Sequence, residues 1–220
     1  MGERRIAAYG GTFDPIHNGH VEIARAVVQN FDVDQLLLIP ACKPPHKGAK
    51  AIAGAYHRFA MAALATLEEP RVVVSTIELD APDRPYTFET IERLRSYFGT
   101  ETKLFFVMGA DSFEEINTWR EPARLISSTN LIVVTRPGHD VEASHLDVGV
   151  RSAIIDLRNS ESGRPERTDV TGPHIYITGY VCNDVSSTEI RQRAREGKSV
   201  EGLVPPPVAE YIRKYQLYRQ

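Results

Sequence analysis

The chain predicts an α/β fold in which helices cover both faces of a doubly wound parallel sheet. Three observations carry this expectation. Short apolar runs alternate with helical patterns along the 220 residues, the pattern of repeated strand–helix units. The apolar runs are near-continuous Val, Ile, Leu and Phe, as in strands buried on both faces. The first run passes through two glycines straight into a helical pattern, and short right-handed crossovers of this kind build parallel sheets.

The elements follow in order. Arg5, Ile6, Ala7, Ala8 and Tyr9 give a strand over 4–9, and the helical pattern behind the glycine loop spans 18–30. Leu36, Leu37, Leu38 and Ile39 give a strand over 35–40, followed by a helix over 54–68. Val72, Val73 and Val74 mark a strand over 71–75, and a helix is expected over 87–98. Leu104, Phe105, Phe106 and Val107 form a strand over 103–108, followed by a helix over 112–127. Leu131, Ile132, Val133 and Val134 form a strand over 130–135. The polar stretch 139–173 is expected to hold an exposed loop at 159–165 and a helix over 143–157. Ile175, Tyr176 and Ile177 give the last strand, 174–178. Ser186 and Glu189 read as a capping box opening a helix over 187–197. Pro205, Pro206 and Pro207 stop one segment and start a helix over 207–217. No internal repeat is evident, so a single domain over 1–220 is expected, its helical end beginning near 186.

Composition narrows the function classes. With 42% hydrophobic and 25% charged residues and a net charge of −3, the chain is an ordinary globular sequence. It has no basic run of the kind nucleic-acid binding needs and no apolar run of transmembrane length. Cationic residues instead collect in motifs, as suits a small polyanionic substrate. Cys42 and Cys182, the two cysteines, lie too far apart for a metal spacing or a disulfide framework, which points to a reducing cytoplasm.

The most informative stretch is Gly10-Gly11-Thr12-Phe13-Asp14-Pro15-Ile16-His17-Asn18-Gly19-His20. Gly10 and Gly11 allow close approach of backbone to a ligand and tolerate positive φ. The new helix offers free N–H groups and a positive dipole end to an anion. Thr12 can donate a hydroxyl, and His17 and His20 lie about one turn apart on one face. Zinc is poorly supported, because no nearby Cys, third His or H-E-x-x-H completes a ligand set. Neither a Walker A loop nor G-x-G-x-x-G is present. Four motifs fall at carboxyl ends of expected strands: this loop, 43–47, 109–112 and 136–138. Parallel sheets bind ligands along that edge.

The loop resembles the G-x-F-D-P-x-H-x-G-H signature of the nucleotidylyltransferase superfamily. Pro44-Pro45-His46-Lys47, Tyr86-Thr87, Gly109-Ala110-Asp111-Ser112, Trp119, Thr135-Arg136-Pro137-Gly138 and Ser186-Ser187-Thr188-Glu189-Ile190-Arg191 extend the likeness to the bacterial nicotinate-mononucleotide adenylyltransferases. It runs from about residue 4 to the C-terminus and is weakest over 139–173; Pro85 stands where such sequences often have Ser.

The resemblance implies a Rossmann-like nucleotidylyltransferase fold that transfers adenylyl from ATP to nicotinate mononucleotide in NAD biosynthesis. It implies that His17, His20 and Arg191 act on the ATP phosphates, with Gly10, Gly11, Thr12 and Ser187 beside them, Gly109 also in the ATP site and Asp111 on the adenosine ribose. Asp111 alone would also serve as a helix cap. The acceptor nucleotide is assigned to His46, Lys47, Thr87, Trp119 and Arg136, with Lys43 between a phosphate contact and a solvated side chain. Trp119, the one tryptophan, would serve as core elsewhere, but its polar neighbours favour a loop. No acidic cluster forms a metal cage, so Mg²⁺ is expected to travel with ATP, held by phosphates and water. Other acceptors (nicotinamide mononucleotide, phosphopantetheine), a cytidylyl donor and a non-catalytic nucleotide sensor are the competing readings. Oligomeric state is not legible.

Overall fold

The computed structural model describes residues 3–42, 52–81, 83, 85–136, 141, 143–144, 146–160, 163–165, 172–180 and 185–219. Seven parallel strands form one sheet in the order β3-β2-β1-β4-β5-β7-β6. They are β1 (Arg5–Gly11), β2 (Gln35–Pro40), β3 (Val72–Val74), β4 (Lys103–Gly109), β5 (Asn130–Val134), β6 (Ile154–Asp156) and β7 (Ile175–Thr178). The helices are α1 (Asn18–Asn30), α2 (Ala55–Ala65), α3 (Thr87–Phe98), α4 (Ala110–Glu114), α5 (Pro122–Ser128), α6 (Val148–Arg151), α7 (Ser187–Arg195) and α8 (Pro206–Lys214).

Strand pleating divides the apolar side chains between two cores, because successive residues point to opposite faces. Ala7, Tyr9, Leu36, Leu38, Phe105 and Val107 pack under α1, α2, α7 and α8. Ile6, Ala8, Leu37, Ile39, Leu104, Phe106 and Met108 pack under α3, α4 and α5. Both faces are therefore covered, which explains why the strands read as unbroken apolar runs.

Strand order reverses between β1 and β4, each hydrogen-bonded in parallel register from Arg5 opposite Lys103 to Tyr9 opposite Val107. The chain leaves these two neighbours in opposite directions: β1 proceeds toward β2, and β4 toward β5. A crevice must open at their carboxyl ends, where such sheets hold ligands.

Two expectations need correction. The helix expected over 112–127 is broken into α4, a 3₁₀ turn at Ile116–Thr118 and α5. Pro122 accounts for the break before α5: it has no N–H to continue the ladder and instead occupies the first turn of a new helix. The helix expected over 143–157 is one turn, α6, followed by β6. There Ile154, Ile155 and Asp156 extend the sheet edge by pairing with Ile175, Tyr176 and Ile177. Tertiary pairing of a β-branched pair outweighs weak local helical pattern. Among the described residues no helix is long and apolar enough to cross a membrane.

Candidate active site

The β1/β4 crevice is an open cleft of about 390 Å³. Gly10, Gly11, His17 and His20 line it from the β1 side, Gly109 and Asp111 from β4, and Arg136 from the end of β5. Residues that lie up to 176 positions apart in sequence (Tyr9 to Val185) thus face one volume.

The loop between β1 and α1 turns on Phe13, which takes a left-handed φ of 49° and is 2% exposed. Its ring folds back over the main chain, so a Cβ at Gly11 would stand 2.9 Å from it. A Cβ at Gly10 would meet the Phe106 ring at 3.2 Å. Gly11 is therefore set by close approach and Gly10 is tightly packed, while the positive φ is carried by Phe13.

His17 is the N-cap of α1, and its own N–H donates to Nδ1 of His20 at 3.2 Å. The two rings stack with centroids 3.7 Å apart and planes 30° from parallel. Burial lowers the pKa of His17 to about 4, assisted by the positive charge of Arg136. Burial and then His17 push His20 well below the usual histidine range. Both imidazoles are neutral at pH 7. Because Nδ1 of His20 accepts, its proton sits on Nε2, which is the donor left for a ligand. Among the described residues the buried Nδ1 of His17 has no hydrogen-bond partner, a deficit that a ligand would relieve.

Asp111 lies one residue inside α4, whose N-cap is Gly109, and no side chain caps that helix. The alternative role of Asp111 as a cap is thereby removed. Its carboxylate is exposed on the cleft wall.

Ser187 and Arg191 face the same loop from the other side. Ser187 Oγ donates to the Pro15 carbonyl at 3.0 Å, and Arg191 Nη1 donates to the Asp14 carbonyl at 2.7 Å. The Arg191 guanidinium also lies 3.7 Å from Asp14 Oδ2 and donates to Thr188 Oγ1 at 3.0 Å. Ser186 caps α7 by accepting from the Glu189 N–H at 3.2 Å. Thr12 meets the rest of the protein through its carbonyl, which accepts from Arg58 at 2.7 Å.

Thr87 is the first residue of α3, so its N–H and the next ones have no helical partner. Trp119 stands extended in the gap before α5 and meets Phe106 edge to face, centroids 6.3 Å apart. Phe106 is also the ring against Gly10, so Trp119 is one side chain removed from the β1 loop. Lys43, His46 and Lys47 lie outside the described residues, as does Cys182; Cys42 is a free thiol.

Sequence reasoning missed Arg58, Tyr218 and the role of Asp14. The Asp14 side chain is 1% exposed, and Oδ1 accepts from Tyr218 Oη at 2.9 Å and from the Ala53 N–H at 3.0 Å. Burial, then Asp14, raises the Tyr218 pKa, so the phenol remains a donor. A signal for Arg58 does exist: it occupies the same helical stripe as the buried Met61, Ala62 and Ala65, where a charge is out of place.

The cytidylyltransferase-like family pattern matches residues 8–193. A protein of Thermoanaerobacter sp., named "Probable nicotinate-nucleotide adenylyltransferase", is 37% identical over 218 residues, covering 99% of this chain and 96% of its own. A Thermus thermophilus protein of the same name is 38% identical over 215 residues, 98% of this chain and 100% of its own. Among solved structures, Plasmodium falciparum nicotinic acid mononucleotide adenylyltransferase complexed with NaAD superposes with a TM-score of 0.74 at 17% identity, over 98% of both chains. That likeness establishes the shared fold.

Proposed function

The chain belongs to the cytidylyltransferase-like family, within the nicotinate-nucleotide adenylyltransferases, and from that premise we propose what its cleft does. It transfers the adenylyl group of ATP to nicotinate mononucleotide, giving nicotinate adenine dinucleotide and pyrophosphate. The observation that carries this reading is the meeting of His17, His20, Asp111 and Arg136 in one cleft at the β1/β4 switch point.

The chemistry asks little covalent help of the protein. The 5′-phosphate of the acceptor is already ionised and attacks the α-phosphorus, so no general base is required. What must be supplied is alignment and compensation of crowding negative charge. His20 is suited to this through a preorganised Nε2–H, set in advance by the His17 N–H. A triphosphate beside the two low-pKa imidazoles would favour their protonated forms, adding charge where it develops. The start of α1 contributes its dipole, while the Asn18 and His20 N–H groups already donate to the carbonyls of Leu203 at 3.0 Å and His17 at 2.9 Å. Arg136 adds a guanidinium, and Arg191 stands next to the loop. Asp111 is placed to accept from ribose hydroxyls. The free N–H groups of α3 and the Thr87 hydroxyl suit a nicotinate carboxylate, and Trp119 the pyridine ring. His46 and Lys47 are assigned to the acceptor by their motif.

Mg²⁺ enters with ATP as part of the substrate. Such an ion keeps several waters and is held mainly by the substrate phosphates. The cytoplasm, which supplies ATP, is the compartment this reading calls for.

Mixing the protein with ATP and nicotinate mononucleotide tests the reading: dinucleotide and pyrophosphate are expected in equal amounts. ATP bound but not consumed would make the protein a nucleotide sensor instead.

A further inference from the structure

The Arg58 guanidinium is buried, with the residue 1% exposed, on the apolar face of α2. Desolvating such a group costs several kcal/mol unless its donors are satisfied. Here they are satisfied by main-chain carbonyls. Nη1 donates to Thr12 at 2.7 Å, Nη2 to Ala41 at 2.6 Å and to Cys42 at 3.3 Å, and Nε to Ala53 at 3.1 Å. The planar fork of arginine spans these directions; the ammonium of lysine is a single point with three donors.

The four carbonyls come from separate pieces of chain. Thr12 belongs to the loop after β1. Ala41 and Cys42 follow β2, and Ala53 precedes α2. Cys42 and Ala53 stand either side of 43–51, the stretch whose sequence carries Lys43, His46 and Lys47. Ala53 is held a second time: its N–H donates to Asp14 Oδ1, in the loop after β1, at 3.0 Å. Tyr218, near the end of the chain, fixes the same oxygen from the far side at 2.9 Å. Both peptide groups of Ala53 are thus tied, one to Arg58 and one to Asp14.

We propose that Arg58, with the Asp14–Tyr218 pair, forms a positioning element that sets the loop after β1 relative to Ala41, Cys42 and Ala53, the described residues that flank 43–51. This rests on the adenylyl-transfer reading, in which the loop after β1 holds the ATP phosphates and His46 and Lys47, assigned by their motif, meet the acceptor. In-line attack between two bound anions depends on their separation, and misplacement by about 1 Å costs on the order of 10²-fold in rate. A side chain that bonds only to main chain can hold that separation without touching either substrate.

The test compares Arg58→Lys and Tyr218→Phe with the unaltered protein well below each Tm, measuring kcat and, by calorimetry, the separate affinities for ATP and nicotinate mononucleotide. Arg58→Lys is expected to lower kcat by about 10²-fold while leaving both affinities nearly unchanged. Tyr218→Phe removes one hydrogen bond and should lower kcat about 2- to 10-fold in the same pattern. It remains decisive if Arg58→Lys fails to fold. Unchanged kcat in the folded variants overturns the proposal. So does a parallel loss of kcat and both affinities, which is what general loosening would give. If the unaltered protein makes no dinucleotide, the adenylyl-transfer reading falls; if it turns over beside an Arg58→Lys variant of equal kcat, the positioning role alone falls.

Discussion

The backbone N–H of His17 donates to Nδ1 of His20 at 3.2 Å, so the first turn of α1 selects the tautomer of its own histidine. The Nε2–H that results exists before any ligand arrives. Preorganisation of this kind is the property expected of a group that stabilises charge developing in a transition state.

His20→Ala should therefore lower kcat by about 10²–10³-fold while raising KM for ATP much less. Steady-state kinetics on the folded variant checks this. Turnover close to that of the unaltered protein would remove His20 from the chemistry. His17→Ala should also be impaired, since it loses the group stacked on His20.

Asp111→Ala should raise KM for ATP with little change in kcat, because a ribose contact serves ground and transition states alike. Its Tm should barely move, since Gly109 and not Asp111 caps α4. A collapsed Tm with unchanged KM would contradict the ribose assignment.

The histidines also predict an acid-side loss of stability. His17 has a folded-state pKa of about 4, below the value near 6.5 in the unfolded chain. As pH falls through that window the unfolded chain binds the proton first, so stability declines from about pH 6.5 toward pH 4. His17 alone would account for up to about 3 kcal/mol. Thermal melts across this range should show a steeper fall for the unaltered protein than for His17→Gln. A saturating ATP analogue should flatten the fall by favouring the protonated form. Identical pH profiles for the protein and its His17→Gln variant would contradict the buried neutral imidazole.

Thr87→Val should narrow the preference for a carboxylate over an amide on the pyridine ring, since it removes a donor at the start of α3. Trp119→Ala should weaken both acceptors similarly, because stacking does not distinguish them. Competition between the two mononucleotides measures each effect; a Trp119→Ala variant with altered preference would assign discrimination to the wrong residue here.

The parts of this site legible in the sequence are those made within a short stretch of chain. The strand–loop–helix from Arg5 to His20 places its glycines and histidines by local geometry, and β1 and α1 lie where periodicity puts them. Parallel topology then brings Asp111 and Arg136 to the same edge. What was not legible depends on distant partners. β6 is three residues long and exists because β7 pairs with it. Pro122 starts a new helix, α5, within an apolar pattern that ran on past it. Arg58 reaches a carbonyl 46 positions away, and Tyr218 meets Asp14 across 204. Backbone acceptors leave no residue-type signature, so only the charge within the apolar stripe of α2 hinted at the first. Nothing local hinted at the second.

A coupled pyrophosphate assay with ATP and either nicotinate or nicotinamide mononucleotide tests the central claim most directly. Facing an amide, a donor at the start of α3 would meet another donor, and a buried unpaired donor costs about 1–3 kcal/mol. The account predicts pyrophosphate release with nicotinate mononucleotide and slower release with the amide, kcat/KM favouring the former by about 5- to 150-fold. Equal kcat/KM for the two, or no pyrophosphate with either, would contradict it.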